Sequence, residues 1–527
     1  MTPTHDLVIR EADVIDGSGA PRFRADVAVR GDRIDAVLRH DDPTRAVVRG
    51  RLEIDAGGRV LAPGFIDVHT HDDTALIAQP EMAMKASQGV TTVVCGNCGA
   101  SAAPVLRPEV SSALLSLIVR DPAHAAPDFA SFAARVEAAR PALNGAFLIG
   151  HSTLRASVMG EDLARAASDE EIERMRLLLD ACLEQGAIGL SSGLFYPPAA
   201  AATTDEVARV AEPLGRHGGV YTAHMRDEGD HVLASMDETF EIGRRAGAPV
   251  VVSHHKCAGR ANFGRMRETL PRMDAARAAQ PVAFDVYPYT ASSTILHPDM
   301  IGRAERVLVT WSDTVDGVAG RDLADIAADW GVDAREAARR LQPAGAIYFT
   351  MAEADVRAAL AHPGAMIGSD GLPFDAHPHP RLWGTFPRVL GHYCRELRLF
   401  PLEDAVHRMT GLSATTFGLA GRGFVREGLF ADLCVFDAET VIDRADFASP
   451  CLPSTGIDTV IVNGVPVWRD GAPTGERPGR VLRRQAPRTG AGASAGAVGG
   501  PGAGPAAGPG DGPGAGPGAG PASGLAH

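Results

Sequence analysis

Lysine is nearly missing from this chain. Of its 51 basic residues only Lys85 and Lys256 are lysine, and arginine fills every other cationic position. The two side chains are not interchangeable at a chemical site, so a retained lysine marks a place that wants a compact ammonium. Long hydrophobic runs are missing too. No stretch approaches the length of a membrane span, and residues 1–6 do not read as a secretory signal. Positive charge is in deficit: the formal net charge is −14 with the acidic residues dispersed, which argues against a nucleic-acid partner. Cysteines number only seven, an odd count without framework spacing, as fits a reducing cytoplasm. What is present is a chain of 527 residues, 45% of them apolar, long enough for a large core and more than one structural unit.

The first 60 or so residues read as short strands, at 6–10, 25–30 and 33–37, punctuated by Gly-containing turns. From about residue 62 the rhythm changes to short apolar strands alternating with Ala- and Arg-rich helical stretches such as 168–185 and 204–217. Eight strand candidates fall at 64–71, 89–95, 145–151, 187–192, 219–224, 249–254, 282–287 and 365–370. Eight such alternations predict an α/β fold, a parallel (β/α)8 TIM-like barrel with helices outside. An open doubly wound sheet is the alternative, but no Gly-rich phosphate fingerprint follows the first strand. Residues 291–347, between the seventh and eighth strands, are too long for a connection and carry a helical pattern at 319–341, as expected of a lid or small subdomain. After a helix at 401–419, β-like segments return at 431–436 and 459–468. The expected organisation is therefore a small β-sandwich domain made of residues 1–62 and 420–484, a barrel at 63–419 inserted in it, and a disordered Gly/Ala/Pro tail at 485–527.

Reactive groups of a parallel barrel gather at the C-terminal ends of its strands. The first strand ends in His69 and His71, which share a face at i, i+2. The second runs into Cys95-Gly96-Asn97-Cys98, the fifth ends at His224, the sixth at His254-His255-Lys256, and the eighth at Asp370. Imidazole, thiolate and carboxylate at one rim are the ligand types of zinc. A redox reading of Cys95 and Cys98 wants a thioredoxin-like helix start, which is not here, so one cysteine is expected on metal and Cys95 in the core. His254 and His255 are adjacent, so only one faces the barrel mouth. His151, His362, His377, His379 and His392 have no spacing partner and are expected to be structural.

The stretches 64–71, 96–99, 189–196, 253–256 and 369–371, with 378–381 and 384–388, resemble the N-acyl-D-amino-acid deacylases (D-aminoacylases) of the amidohydrolase superfamily, over roughly residues 5 to 484. The resemblance implies zinc-dependent hydrolysis of N-acyl-D-amino acids. It implies a tight zinc on Cys98, His224 and His254, a weaker second position lined by His69, His71 and Asp370, and Asp370 as general base and acid. Lys256, Tyr196, Tyr287, Ser293, Arg306 and Met351 match its substrate-binding positions, and Arg381 is a place where side-chain preference would be set. Chemistry agrees: amide hydrolysis needs an activated water, a polarised carbonyl and a proton for the leaving amine. A substrate carboxylate needs a cation, with Lys256 and Arg306 as candidates. Lys256 follows His254 by two, so an extended strand end would point both the same way. The second reading is a hydantoinase or dihydropyrimidinase. Those enzymes bridge two metals with a carbamylated lysine after strand four, where this chain has Ser191 and Ser192. A barrel that has lost its chemistry is a third, opposed by all six rim groups being present.

Overall fold

The computed structural model describes residues 3–109 and 113–484; the Gly/Ala/Pro tail lies outside the described residues. Eight parallel strands, β1 (Phe65–Asp67), β2 (Val90–Cys95), β3 (Asn144–Gly150), β4 (Gly189–Gly193), β5 (Val220–His224), β6 (Val250–Val252), β7 (Val282–Val286) and β8 (Ala365–Ile367), pair in sequential order. They match the eight expected segments. Alternation along them separates two cores. Ile66, Val94, Leu148, Val220, Val251, Ala283 and Met366 fill the interior, plugged by Ala414 and Phe417. Phe65, Val93, Cys95, Ile149, Val252 and Phe284 face outward into the layer of helices. Cys95 is therefore an outward core residue, as expected.

The ladder stops at β8 and β1. Among the described residues, the backbone pairing across that seam is an isolated bridge between Thr70 and Gly371, with Asp370 N donating to the His69 carbonyl at 2.6 Å and His71 N to the Gly371 carbonyl at 3.1 Å.

Both chain ends join one nine-stranded sheet, in which Leu433–Phe436 pairs with Val60–Pro63. Leu7, Val27, Ile54, Leu61, Leu433, Val435 and Ile461 form one core on this single continuous sheet. The alternate residues Cys434, Phe436, Val460 and Val462 pack with the barrel's helical layer. The tight turn at Asn463-Gly464 has positive φ at both residues (49° and 84°), the requirement of a two-residue hairpin with the correct twist.

Residues 291–347 form a subdomain with its own core. Strands Ala291–Ile295, Val307–Ser312 and Ala344–Phe349 make an antiparallel sheet covered by helices Leu323–Trp330 and Ala334–Leu341. The single helical stretch expected at 319–341 is thus two helices, broken where Gly331 takes φ 64° and Asp333 caps the second.

Candidate metal centre and catalytic cleft

Three of the rim residues sit in backbone conformations that side chains rarely adopt: Cys98 (φ 53°), His254 (φ 35°) and Asp370 (φ 51°). Such geometry costs on the order of 1–3 kcal/mol each and persists only where the surroundings enforce it. Around Cys98 the enforcement is visible. Gly96 turns the chain against β3, where a Cβ would collide with the Leu148 carbonyl. Asn97 ties its amide to the Val94 carbonyl at 2.9 Å. Ser191, in the middle of β4, accepts from Gly99 N at 3.0 Å and donates to the Gly96 carbonyl. The loop can then present only Cys98 inward.

The donors converge in two groups that share one atom. Cys98, His224 and His254 place their ligand atoms within 4.8 Å of one another, and so do His69, His71, Cys98 and Asp370. Cys98 Sγ lies 3.4 Å from His254 Nε2 and 3.3 Å from His69 Nε2. With zinc–sulfur and zinc–nitrogen bonds of about 2.3 and 2.0 Å, a tetrahedral S···N edge is about 3.5 Å, so this spacing fits a zinc ion without rearrangement. The electrostatics ask for a cation as well. Burial alone would raise the Cys98 thiol, yet His69 and His254 hold it well below the usual thiol range. Burial opposes charge on His71, but Asp370 and Cys98 raise it to about 9. The anions of the cluster draw protons onto imidazoles that a metal would otherwise serve.

Carboxylates behind the histidines orient the rings, the usual support for imidazole ligands. Asp285 Oδ2 sits 3.2 Å from His69 Nδ1 while its Oδ1 accepts from His254 N at 2.9 Å. Glu228 lies 3.0 Å from His254 Nδ1 and 3.7 Å from His224 Nε2. Neither was singled out from the sequence. Asp285 had a signal, an acidic residue inside an apolar strand; Glu228, in a loop after β5, had none. Asp370 bonds His71 Nε2 at 3.2 Å through Oδ1 and pairs with Arg381 at 2.9 Å through Oδ2. Burial works against its charge, but Arg381, then His71, His69 and His254, keep it ionised well below the ordinary carboxylate range.

A cleft opens over this centre, lined by Phe195, Tyr196, His224, His254, Lys256, Ser293, Arg303 and Asp370 among others. Tyr196 Oη bonds Thr294 Oγ1 at 3.0 Å. The Arg381 guanidinium lies just behind the lining, bonded to the Ser293 carbonyl at 3.0 Å and stacked 4.6 Å from the Tyr287 ring centroid. Met351 and Tyr287 border a smaller closed cavity beside Lys256. Two expected positions differ. Lys256 lines the cleft with His254 but not by an extended strand end, because the chain leaves the extended form at His254; its ammonium lies against Glu228 at 2.6 Å, His254 Nδ1 at 2.7 Å and the His254 carbonyl at 2.9 Å. Arg306 is absent from the cleft lining. It is half-exposed, pairs with Asp322 at 2.7 Å within the insertion, and Arg303 takes the place at the cleft. His255 bonds Thr269 at 2.9 Å, away from the rim.

The amidohydrolase family model matches residues 52–468. Three curated relatives come from Alcaligenes xylosoxydans xylosoxydans. Its D-aminoacylase is 53% identical over 91% of this chain and 98% of its own length. Its N-acyl-D-glutamate deacylase is 49% identical (92% and 98%) and its N-acyl-D-aspartate deacylase 50% identical (90% and 95%). A solved D-aminoacylase with a binuclear metal centre, described by one-metal activation and second-metal attenuation, superposes with TM-score 0.88 at 51% identity, covering 91% of this chain and all of that one. An N-acyl-D-glutamate deacylase from Bordetella bronchiseptica, complexed with zinc and a phosphonate mimic of the tetrahedral intermediate, gives 0.87 at 47% identity, covering 91% and 99%. An L-hydantoinase from Arthrobacter aurescens shares the fold alone, with TM-score 0.56 at 16% identity over 91% of this chain and all of that one.

Proposed function

Since the chain belongs to the amidohydrolase family, we propose that it is a zinc-dependent hydrolase of N-acyl-D-amino acids, releasing a carboxylate and a free D-amino acid. The observation that carries the reading is Asp370, which lines the cleft while touching the histidine rim on one side and Arg381 on the other. Zinc held by Cys98, His224 and His254 would supply a Lewis acid and lower the pKa of a water. His69, His71 and Asp370, sharing Cys98, would hold a second and weaker ion.

Asp370 is ionised and fixed by two partners, so it is ready to take a proton from the attacking water and return it to the amine nitrogen as the amide breaks. Asp285 and Glu228 hold the imidazoles of His69 and His254 so that their Nε2 atoms face the centre. Tyr196 and Ser293 form walls around the substrate, while Tyr287 and Met351 border the smaller cavity beside Lys256. Lys256 and Arg381 are the cations offered to its α-carboxylate, Lys256 with its charge already shared by Glu228. No helix is long and apolar enough to cross a membrane among the described residues. Seven free cysteines support a cytoplasmic setting and a small-molecule substrate met in solution.

The hydantoinase alternative lacks support at one decisive place. Ser191, standing where a bridging lysine would, is committed to pinning the Cys98 loop. Relatives at 49% and 50% identity are named for D-glutamate and D-aspartate, so acidic side chains belong in the test beside neutral ones. The test is a screen of N-acetyl-D- against N-acetyl-L-amino acids of all three side-chain classes, read by released amine. Turnover confined to D-substrates is expected. Equal turnover of both enantiomers, or of hydantoins alone, defeats the reading.

A further inference from the structure

Lys85 is the lysine that this chemistry leaves unused. It lies on the short helix Ala83–Ala86, wholly buried. Its ammonium donates to Ser369 Oγ at 2.6 Å, Asp67 Oδ2 at 2.7 Å and Thr70 Oγ1 at 3.0 Å, with Asp72 Oδ2 at 3.4 Å. Three donors meet three acceptors, which satisfies an ammonium completely. A planar guanidinium of five donors would leave some unmet in the same space, a reason for a chain so rich in arginine to keep lysine here. Asp67 completes the knot, accepting from Ser369 N at 2.8 Å and Ser369 Oγ at 2.6 Å.

All of these partners stand on the seam between β1 and β8, the one junction of the barrel that the strand ladder leaves unpaired. The residues next along each side are His69 and His71 on one strand and Asp370 on the other. Cys98, His224 and His254 come from elements bound into the regular ladder.

We infer that Lys85 is a positioning residue for one half of the centre: it locks the β1–β8 seam so that His69, His71 and Asp370 converge, and does not set the Cys98–His224–His254 half. The inference rests on the two-metal reading above and is independent of the substrate. The test is calorimetric titration of the full-length, chelator-stripped protein with Zn2+, without substrate, and with Co2+ followed by absorption. Lys85→Met, uncharged and of similar length, is expected to weaken the second binding event about tenfold or more, as loss of a supporting residue does. The first event, and the cobalt–thiolate charge-transfer band that appears with the first equivalent, stay within about twofold of wild type, because His224 and His254 follow strands that the Lys85 knot does not touch. Lys85→Arg, despite its charge, shares the loss.

Equal weakening of both events would make Lys85 merely structural and overturn the inference; so would an unchanged second event, or a wild type that binds one equivalent only. If Lys85→Met does not fold, Ser369→Ala decides. It keeps the charge pair and removes one acceptor, and should weaken the second event roughly threefold; no change overturns the inference. Failure to hydrolyse any N-acyl-D-amino acid, with both metal events and their Lys85 dependence intact, would refute the substrate reading alone.

Discussion

The two ends of the barrel handle buried charge in opposite ways. At the N-terminal end, Arg422 pairs with Asp432 and bonds Asn463 Oδ1 at 3.0 Å; Asn463 Nδ2 reaches Asn144 Oδ1 at 2.8 Å, and Asn144 Nδ2 returns to Asp432 at 3.2 Å. That ring ties the terminal sheet to the first residue of β3 and closes on itself. At the C-terminal end, His71 Nδ1, His224 Nδ1 and Tyr287 Oη are buried without a hydrogen-bond partner in the protein, and three side chains hold positive φ. A closed ring resists change, while an open one has a use for a ligand. The difference teaches which buried polar groups to read as architecture and which as chemistry.

The comparison is broken most severely at Asp370. Asp370→Asn should lower turnover by on the order of 10²–10⁴-fold, measured by amine release, while the protein still unfolds cooperatively. Retention of more than about a tenth of the wild-type rate would put the base elsewhere. Next comes the contrast between two cysteines of one motif. Cys98→Ala should emerge from dialysis without zinc and Cys95→Ala with it, by metal analysis, because Cys95 faces the outer core. Equal retention would end the ligand assignment.

The opposite end gives the mirror result. Arg422→Leu should cost about 3–5 kcal/mol in denaturant unfolding by leaving Asp432 unpaired, with kcat/KM per folded molecule unchanged. A loss of activity there would erase the division of labour. A third cluster sharpens it. Burial would raise Glu206, but the nearby His151 ring and its bonds with Ala167 N and Arg155 bring it down to about 2 from 4.5. A depressed carboxylate stabilises above its unfolded value and loses that contribution as pH falls through about 2. The acid limb of the stability curve should therefore flatten in Glu206→Gln. Smallest of all, Arg306→Ala should keep kcat/KM within about twofold, its charge being spent on Asp322 at the surface.

Much of this was legible in the chain. Eight buried strands announce themselves by apolar runs between helical stretches, and a parallel barrel forces its strand ends to one rim, so the candidate rim groups could be listed before any coordinates, while the choice of His254 over His255 rested on the family resemblance. What depended on a local departure from regular geometry could not. Lys256 was expected to follow His254 on an extended strand, and the φ of 35° at His254 redirects it. Strand Ala291–Ile295 is short and rich in Ser and Thr, so only the helices of the insertion showed. Glu228 reaches the histidines from a loop, where no periodicity constrains a side chain.

The insertion packs most of its apolar side chains on one another, although Ile295 and Trp311 join Leu114 and Tyr196 in a shared cluster, and Ser292, Ser293, Thr294, Met300 and Arg303 make one wall of the cleft. None of the six rim groups belongs to it. A unit that packs largely on itself can be exchanged where Ile295 and Trp311 are kept to meet the barrel. Residues 291–347 grafted from a relative of different preference would bring a new wall to an untouched reaction centre. Selection could therefore retune which side chain is accepted without renegotiating how the amide is cut.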